Sequence, residues 1–288
     1  METKTFNLLS GPECEVRRLL TEHQDILFPD SQSGSVSMAK NINRILSETI
    51  IRIGSDEKIT KEKCANLLSA DRKQILFEMG RFACESLAKV DDSILETDEN
   101  IKKYDPSFGE GQNPNIIKFT YKFRDGKQEI ESDYEEEIIF KRKDYPFQFD
   151  EYEDVRENIV FECVLPYSKK KVQYTLIDGN VEARWEKKHK TINSFIDMYS
   201  PMEINEDLSD KEKEKKNFKK SLLVGKLEIV DSSYLREHIM MNIGYVESTI
   251  LVDHPYIDGK YDKVDVMTLP EFFFPKAGLK TSAKYGEN

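Results

Sequence analysis

Apolar positions recur at intervals of three and four through Ala39, Ile42, Leu46, Ile50 and Ile53, which predicts an amphipathic helix. Val16, Leu19, Leu20 and Leu27 also fall near one face, so Glu13 to Leu27 reads as an earlier helix. Pro29 and the stretch Ser31 to Ser35 separate the two. Gly54 to Glu57 is a turn, and Thr60 is placed to cap a short helix through Leu68. Ser69 then opens a longer helix with Asp71 in its first turn, where the helix dipole favours a carboxylate. Leu76, Met79, Ala83 and Leu87 continue it on one side. Residues 1–95 therefore read as a helical N-terminal region.

Residues 96–114 are polar and hold Pro106, Gly109, Gly111 and Pro114, the composition of a linker. The period then drops to two. Ile117, Phe119 and Tyr121 alternate with Lys118, Thr120 and Lys122. Arg124 to Lys127 carries an Asp-Gly turn signal, and Glu129 to Phe140 can return as one strand. A second hairpin is expected from Ile159 to Leu165 and Lys171 to Leu176, with a turn at 166–170. Residues 115–180 form this hairpin region, and Asp178 to Asn180 leads into a helix from Val181. Residues 181–242 read as helical, interrupted by a connector at 205–220 whose charges lie on every side. Residues 243–288 hold a last hairpin, Tyr245 to Val252 with a turn at 253–259, and an aromatic tail. The predicted class is α+β.

Composition narrows the function. The chain is 38% hydrophobic and 34% charged, against ~25% charged residues in ordinary domains. A thin core with much solvated or partner-facing surface fits that balance. A net charge of −11 disfavours nucleic acid and anionic membranes as partners, because both repel it. No apolar run approaches the ~20 residues needed to cross a bilayer, and the first residues lack a basic-then-apolar signal pattern. The expectation is a chain that is cytosolic where it is made. Cys14, Cys64, Cys84 and Cys163 stand alone in sequence and read as free thiols.

Candidate chemistry is sparse. The phosphate loop Gly-x-x-x-x-Gly-Lys-Ser/Thr, Gly-x-Gly-x-x-Gly, His-Glu-x-x-His and Gly-x-Ser-x-Gly do not occur. No catalytic residue and no cofactor are expected. Asp253, His254 and Asp258 gather at one turn and are the best candidates for a hard or borderline cation; the alternative function they support is a metal-dependent enzyme. Of the other histidines, His23 is expected to pack on a helix face. Trp185 and the run Phe272-Phe273-Phe274 are candidate partner anchors, because large rings concentrate at interface hot spots. The competing reading of the phenylalanines is a final edge strand with two rings tucked under the hairpin. Trp185 likewise reads equally as packing on its own core.

Several short motifs run in order along the chain. Leu9-Ser10-Gly11-Pro12-Glu13 precedes Leu67-Leu68-Ser69-Ala70-Asp71-Arg72. Leu165-Pro166-Tyr167-Ser168-Lys169-Lys170-Lys171-Val172 follows, continuing to Tyr174, Leu176 and Gly179. Asp231-Ser232-Ser233-Tyr234-Leu235-Arg236 and Phe272-Phe273-Phe274-Pro275 complete the series. In this order the chain resembles the baseplate hub assembly proteins of contractile-tailed bacteriophages. In that family the hairpin turns commonly carry a zinc-ribbon Cys-x-x-Cys. Here Gly126 and Gly259 remain at the turns and the cysteines are gone, so folding is expected to proceed without zinc. The resemblance implies a non-enzymatic tail protein that acts in hub assembly or stays in the hub. Its expected partners are other tail and hub proteins, with a homo-oligomer as a further option. Its expected location is the host cytoplasm during assembly, and the virion tail if it remains there. A cytosolic adaptor unrelated to phage is the other non-enzymatic alternative.

Overall fold

A computed structural model of the chain describes residues 2–28, 38–87, 116–125, 128–185, 192–204 and 219–274. The linker expected at 96–114 lies outside them, as does the charged connector up to residue 218. The class is α+β, with antiparallel strands in small sheets packed among helices.

The chain opens with β1 (Thr3–Asn7) and β2 (Glu13–Arg17), paired from Thr3 opposite Arg17 to Asn7 opposite Glu13. This corrects the helix expected from Glu13. Cys14 and Val16 are fully buried while Glu13 and Arg17 are exposed, a period of two that fits a strand. Only α1 (Gln24–Leu27) is helical beyond a preceding short turn of 3-10 helix. The next helix, α2 (Met38–Thr49), forms as expected but stops before Ile50. Thr49 Oγ1 donates back to the Ile45 carbonyl at 2.7 Å, a local bond that competes with helix continuation. The chain then extends into β3 (Ile50–Ile53), which pairs with β2 and completes a sheet of order β1-β2-β3.

The Thr60 hydroxyl caps α3 (Lys61–Asn66) by accepting from the Lys63 amide at 3.2 Å. The longest described helix is α4 (Ser69–Leu87). Its sequence shows one apolar side, yet Asp71, Arg72, Gln74 and Glu78 are buried along with Ile75, Phe77, Met79 and Phe82. It is a central helix, enclosed on more than one side by later elements.

Strands β4 (Ile116–Asp125) and β5 (Gln128–Glu137) pair over their full length, with Asp125 opposite Gln128. The return strand is shorter than expected. Ile138 turns into the core, and β6 (Ile139–Lys143) leaves to join a different sheet. After α5 (Tyr152–Glu157), the second hairpin forms as β7 (Val160–Val164) and β8 (Lys171–Thr175). The helices α6 (Gly179–Trp185) and α7 (Ile192–Met198) follow. Two short strands, β9 (Met202–Ile204) and β10 (Lys219–Ser221), extend the second hairpin to the order β10-β9-β8-β7. Lys219 and Lys220, expected in the solvated connector, are therefore strand residues. They pair with Ile204 and Glu203 at the edge of the sheet, and the buried Leu222 follows directly after the strand.

The long helix α8 (Ile229–Asn242) precedes the C-terminal hairpin of β11 (Tyr245–Asp253) and β12 (Tyr261–Asp265). β11 also pairs with β6, giving the order β12-β11-β6. Val246, Ser248, Ile250 and Val252 are buried on it, facing the core as their alternation requires. A single helical turn, α9 (Pro270–Phe273), closes the described chain. One buried cluster links residues from Leu8 to Phe273.

Candidate functional site

The motif residues lie far apart in sequence, and the fold brings them together in pairs. Ser10, in the turn between β1 and β2, meets Asp71 in the first turn of α4. Its amide donates to Asp71 Oδ1 at 3.1 Å and its hydroxyl to Oδ2 at 2.7 Å. Asp71 is fully buried. Burial pushes its carboxyl up to about 7, against the lowering effect of the bonds from Ser10 and the Leu9 backbone. The carboxylate expected to serve the helix dipole is thus a tether between two elements.

Its neighbour Arg72 is also buried. Nη1 donates to Asn43 Oδ1 on α2 and to the Cys64 carbonyl of α3 at 2.7 Å. Glu182 Oε2 on α6 lies 3.1 Å from Nε, without the alignment of a hydrogen bond. The start of α6 comes so close that a Cβ at Gly179 would sit 2.0 Å from Nη1. A glycine is the residue that leaves room for the guanidinium there.

A second pair joins the β7–β8 hairpin to α8. Asp231, the third residue of α8, accepts from the amides of Tyr167 at 2.8 Å and Ser168 at 3.0 Å. Burial raises its carboxyl, but the Ser168 and Tyr167 bonds and the nearby Lys169 charge outweigh that and hold it below its usual value. Farther along, the Tyr174 hydroxyl lies 2.9 Å from His238 Nδ1 and accepts from Asn242 Nδ2 at 2.9 Å. Burial lowers the His238 imidazole, which favours the neutral ring at that contact. The polar residues of the motifs act chemically as hydrogen-bonding bridges between elements.

The phenylalanine run is not the exposed tail that a docking role requires. Pro270 starts a helical turn, and Phe272 and Phe273 are buried, at 0% and 2% exposure. Nor does the run form an edge strand. Phe272 lies 5.5 Å from Phe77 of α4, whose ring stacks at 4.4 Å on Phe140 of β6. Phe273 packs edge-on to Phe272 at 5.2 Å and meets Phe28 at 5.9 Å. These rings are core, and Phe274 is half-buried beside them. Trp185 ends α6 half-buried and in contact with other residues.

The cation candidates do not converge. Asp253 and Asp258 are exposed on the β11–β12 turn, whereas His254 is buried against Phe123, with ring centroids 4.8 Å apart. His254 Nδ1 accepts from the Tyr256 amide at 3.2 Å, which stabilises the turn itself. Among the described residues, no three His, Cys, Asp or Glu side chains are grouped to hold a metal ion. His23, expected on a helix face, is buried; its Nδ1 accepts from the Leu20 amide at 2.9 Å and its Nε2 lies 3.3 Å from Glu48.

Among the described residues, strongly exposed apolar side chains occur at the beginning of α8. Asp231, Leu235 and Ile239 face inward at intervals of four. Ile229 and Val230, beside Asp231, are 82% and 58% exposed. Leu223, just upstream, and Tyr167, whose amide Asp231 binds, are 59% and 67% exposed. The readable signal for this surface is an excess of apolar residues. Ile229, Val230, Leu235, Ile239, Met240 and Met241 are more than one face of a single helix can bury. Comparison with protein-family models, with curated proteins and with solved structures gives no match.

Proposed function

We propose that this chain is a non-enzymatic assembly protein of the baseplate hub in a contractile phage tail. It docks another tail protein through the apolar surface at the start of α8. The phage assignment rests on the ordered motifs. The docking surface rests on the outward-facing Ile229, Val230, Leu223 and Tyr167. A group of exposed apolar residues rimmed by charge is the usual form of a protein-binding patch. Asp231 supports the surface from beneath, because its two bonds to the Tyr167–Ser168 backbone fix the hairpin loop against the helix.

The test is co-purification of the tagged chain with the tail and hub proteins encoded with it. The wild-type chain is expected to bring down one of them. Ile229→Ser combined with Val230→Ser should weaken that capture at least tenfold, about 1.4 kcal/mol, while the circular dichroism spectrum is unchanged. Both residues project outward, so the change leaves the core alone. Undiminished capture by the folded double variant would refute the docking surface. Capture of a cellular protein in place of any tail protein would refute the phage assignment and favour an adaptor.

A further inference from the structure

A cavity of about 390 Å3 lies between α1, α2, α4, α6 and α9. That volume is within the ~300–1,000 Å3 range of small-molecule sites. Leu27, Ile42, Leu76 and Phe273 give it an apolar wall. Its polar lining includes Arg72, Lys73 and Glu182.

Arg72 is the unusual member, with only 2% of its surface exposed. Its Nη1 is committed to Asn43 and Cys64, on the side of α2 and α3. Nε and Nη2 share the opposite edge of the planar fork. That edge faces the side occupied by Glu182, which also lines the cavity. Nη2 has no hydrogen-bond partner among the described residues. A buried guanidinium with an open donor beside an apolar wall fits a ligand with one acceptor head and one hydrocarbon body. The unpartnered donor belongs to a guanidinium, so it favours a head that is anionic. Lys73 reaches the same space while pairing with Asp265 at 3.3 Å, so its charge is already balanced there and Arg72 is left to bind the head.

We propose that this cavity binds a single-chain aliphatic monocarboxylate, with its carboxylate on Arg72 and its hydrocarbon against Leu27, Ile42, Leu76 and Phe273. The site is separate from the α8 surface, and its existence does not depend on the tail-assembly reading. The carboxylate takes the donor edge of Arg72 that Glu182 leaves incompletely bonded. The chain of the ligand replaces water along the apolar wall.

Isothermal titration calorimetry of the whole chain with decanoate, below its micelle concentration, tests this against decan-1-ol. Decanoate is expected to bind with a stoichiometry of one. The alcohol, which has the same tail and no charge, should bind about tenfold more weakly or worse. Thr268→Trp places bulk at the exposed rim of the cavity and should abolish binding without disturbing the core. Arg72→Gln should remove the preference for acid over alcohol. If that variant unfolds, the acid–alcohol comparison and Thr268→Trp still decide. No decanoate binding, equal binding of acid and alcohol, or full binding by Thr268→Trp would each overturn the proposal.

Discussion

The aromatic stack along α4 gives a quantitative prediction, because Gly80 and Phe272 are matched to each other. Phe272 is fully buried, next to Phe77 and Phe273. Phe272→Ala removes a core ring whose loss costs ~3–5 kcal/mol in well-packed interiors. For a domain of this size that lowers the thermal midpoint by on the order of 10 °C. A methyl added at Gly80 would sit 2.2, 2.6 and 2.7 Å from three carbons of the same ring. The ring has Phe77 and Phe273 as neighbours, so it cannot swing aside freely. Overpacking of this kind costs ~1–3 kcal/mol. Replacing glycine by alanine inside a helix returns about 1 kcal/mol, so Gly80→Ala alone should cost about 0–2 kcal/mol. Once the ring is gone, the methyl has room. In the Phe272→Ala background, Gly80→Ala should therefore stabilise by about 1 kcal/mol. The double-mutant cycle, read by urea denaturation, should give a coupling of about 1–3 kcal/mol. Additive effects, or a folded Phe272→Ala variant with an unchanged midpoint, would refute this placement of the ring.

Two further changes test the bridges between elements. Asp231→Ala removes the acceptor of two backbone amides and should cost about 2 kcal/mol in urea denaturation. The folded carboxyl sits below its usual value, so its stabilising effect is present above the ordinary carboxylate range and is lost as pH falls through the folded value. A cost under about 0.5 kcal/mol near neutral pH would count against the tether. Asp71 behaves in the opposite sense. Its folded carboxyl titrates at about 7 against an ordinary value of 3.8, so stability is greatest below 3.8 and declines as pH rises to about 7. Asp71→Asn should gain on the wild type by up to roughly 4 kcal/mol between pH 4 and pH 8. Other groups, including His238, titrate in both proteins and cancel in that difference. Parallel pH profiles would rule the shift out.

Much of the element order was legible because it is written in local patterns. The alternation of Ile117 and Phe119, the Thr60 cap and the turn signals at Asp178-Gly179 each need only a few neighbours to act. The errors arose where two periods overlap. Val16 belongs both to a Val16-Leu19-Leu20 helical spacing and to the Cys14-Val16 alternation of β2. Ile50 and Ile53 continue the apolar series of α2 although the chain has already become β3. Contacts across long separations leave no local trace. Ser10 and Asp71 are 61 residues apart, and Tyr167 and Asp231 are 64 apart. The three phenylalanines illustrate the same limit. Their composition fits an exposed anchor and a buried plug equally well, and Gly80, which makes room for the plug, is nearly two hundred positions away. The open edge of Arg72 depends on four segments meeting, so no motif announces it.

Hydrogen exchange of the chain alone and mixed with the tail protein proposed as its partner tests the central claim most directly. Amide exchange falls where a partner suppresses local opening. Added protection should concentrate at 223–235 and in the hairpin loop around Tyr167, with residues 270–274 unchanged because their rings are already buried. Protection confined to the 253–259 turn, or a complex that leaves 223–235 unaltered, would contradict a docking surface on α8.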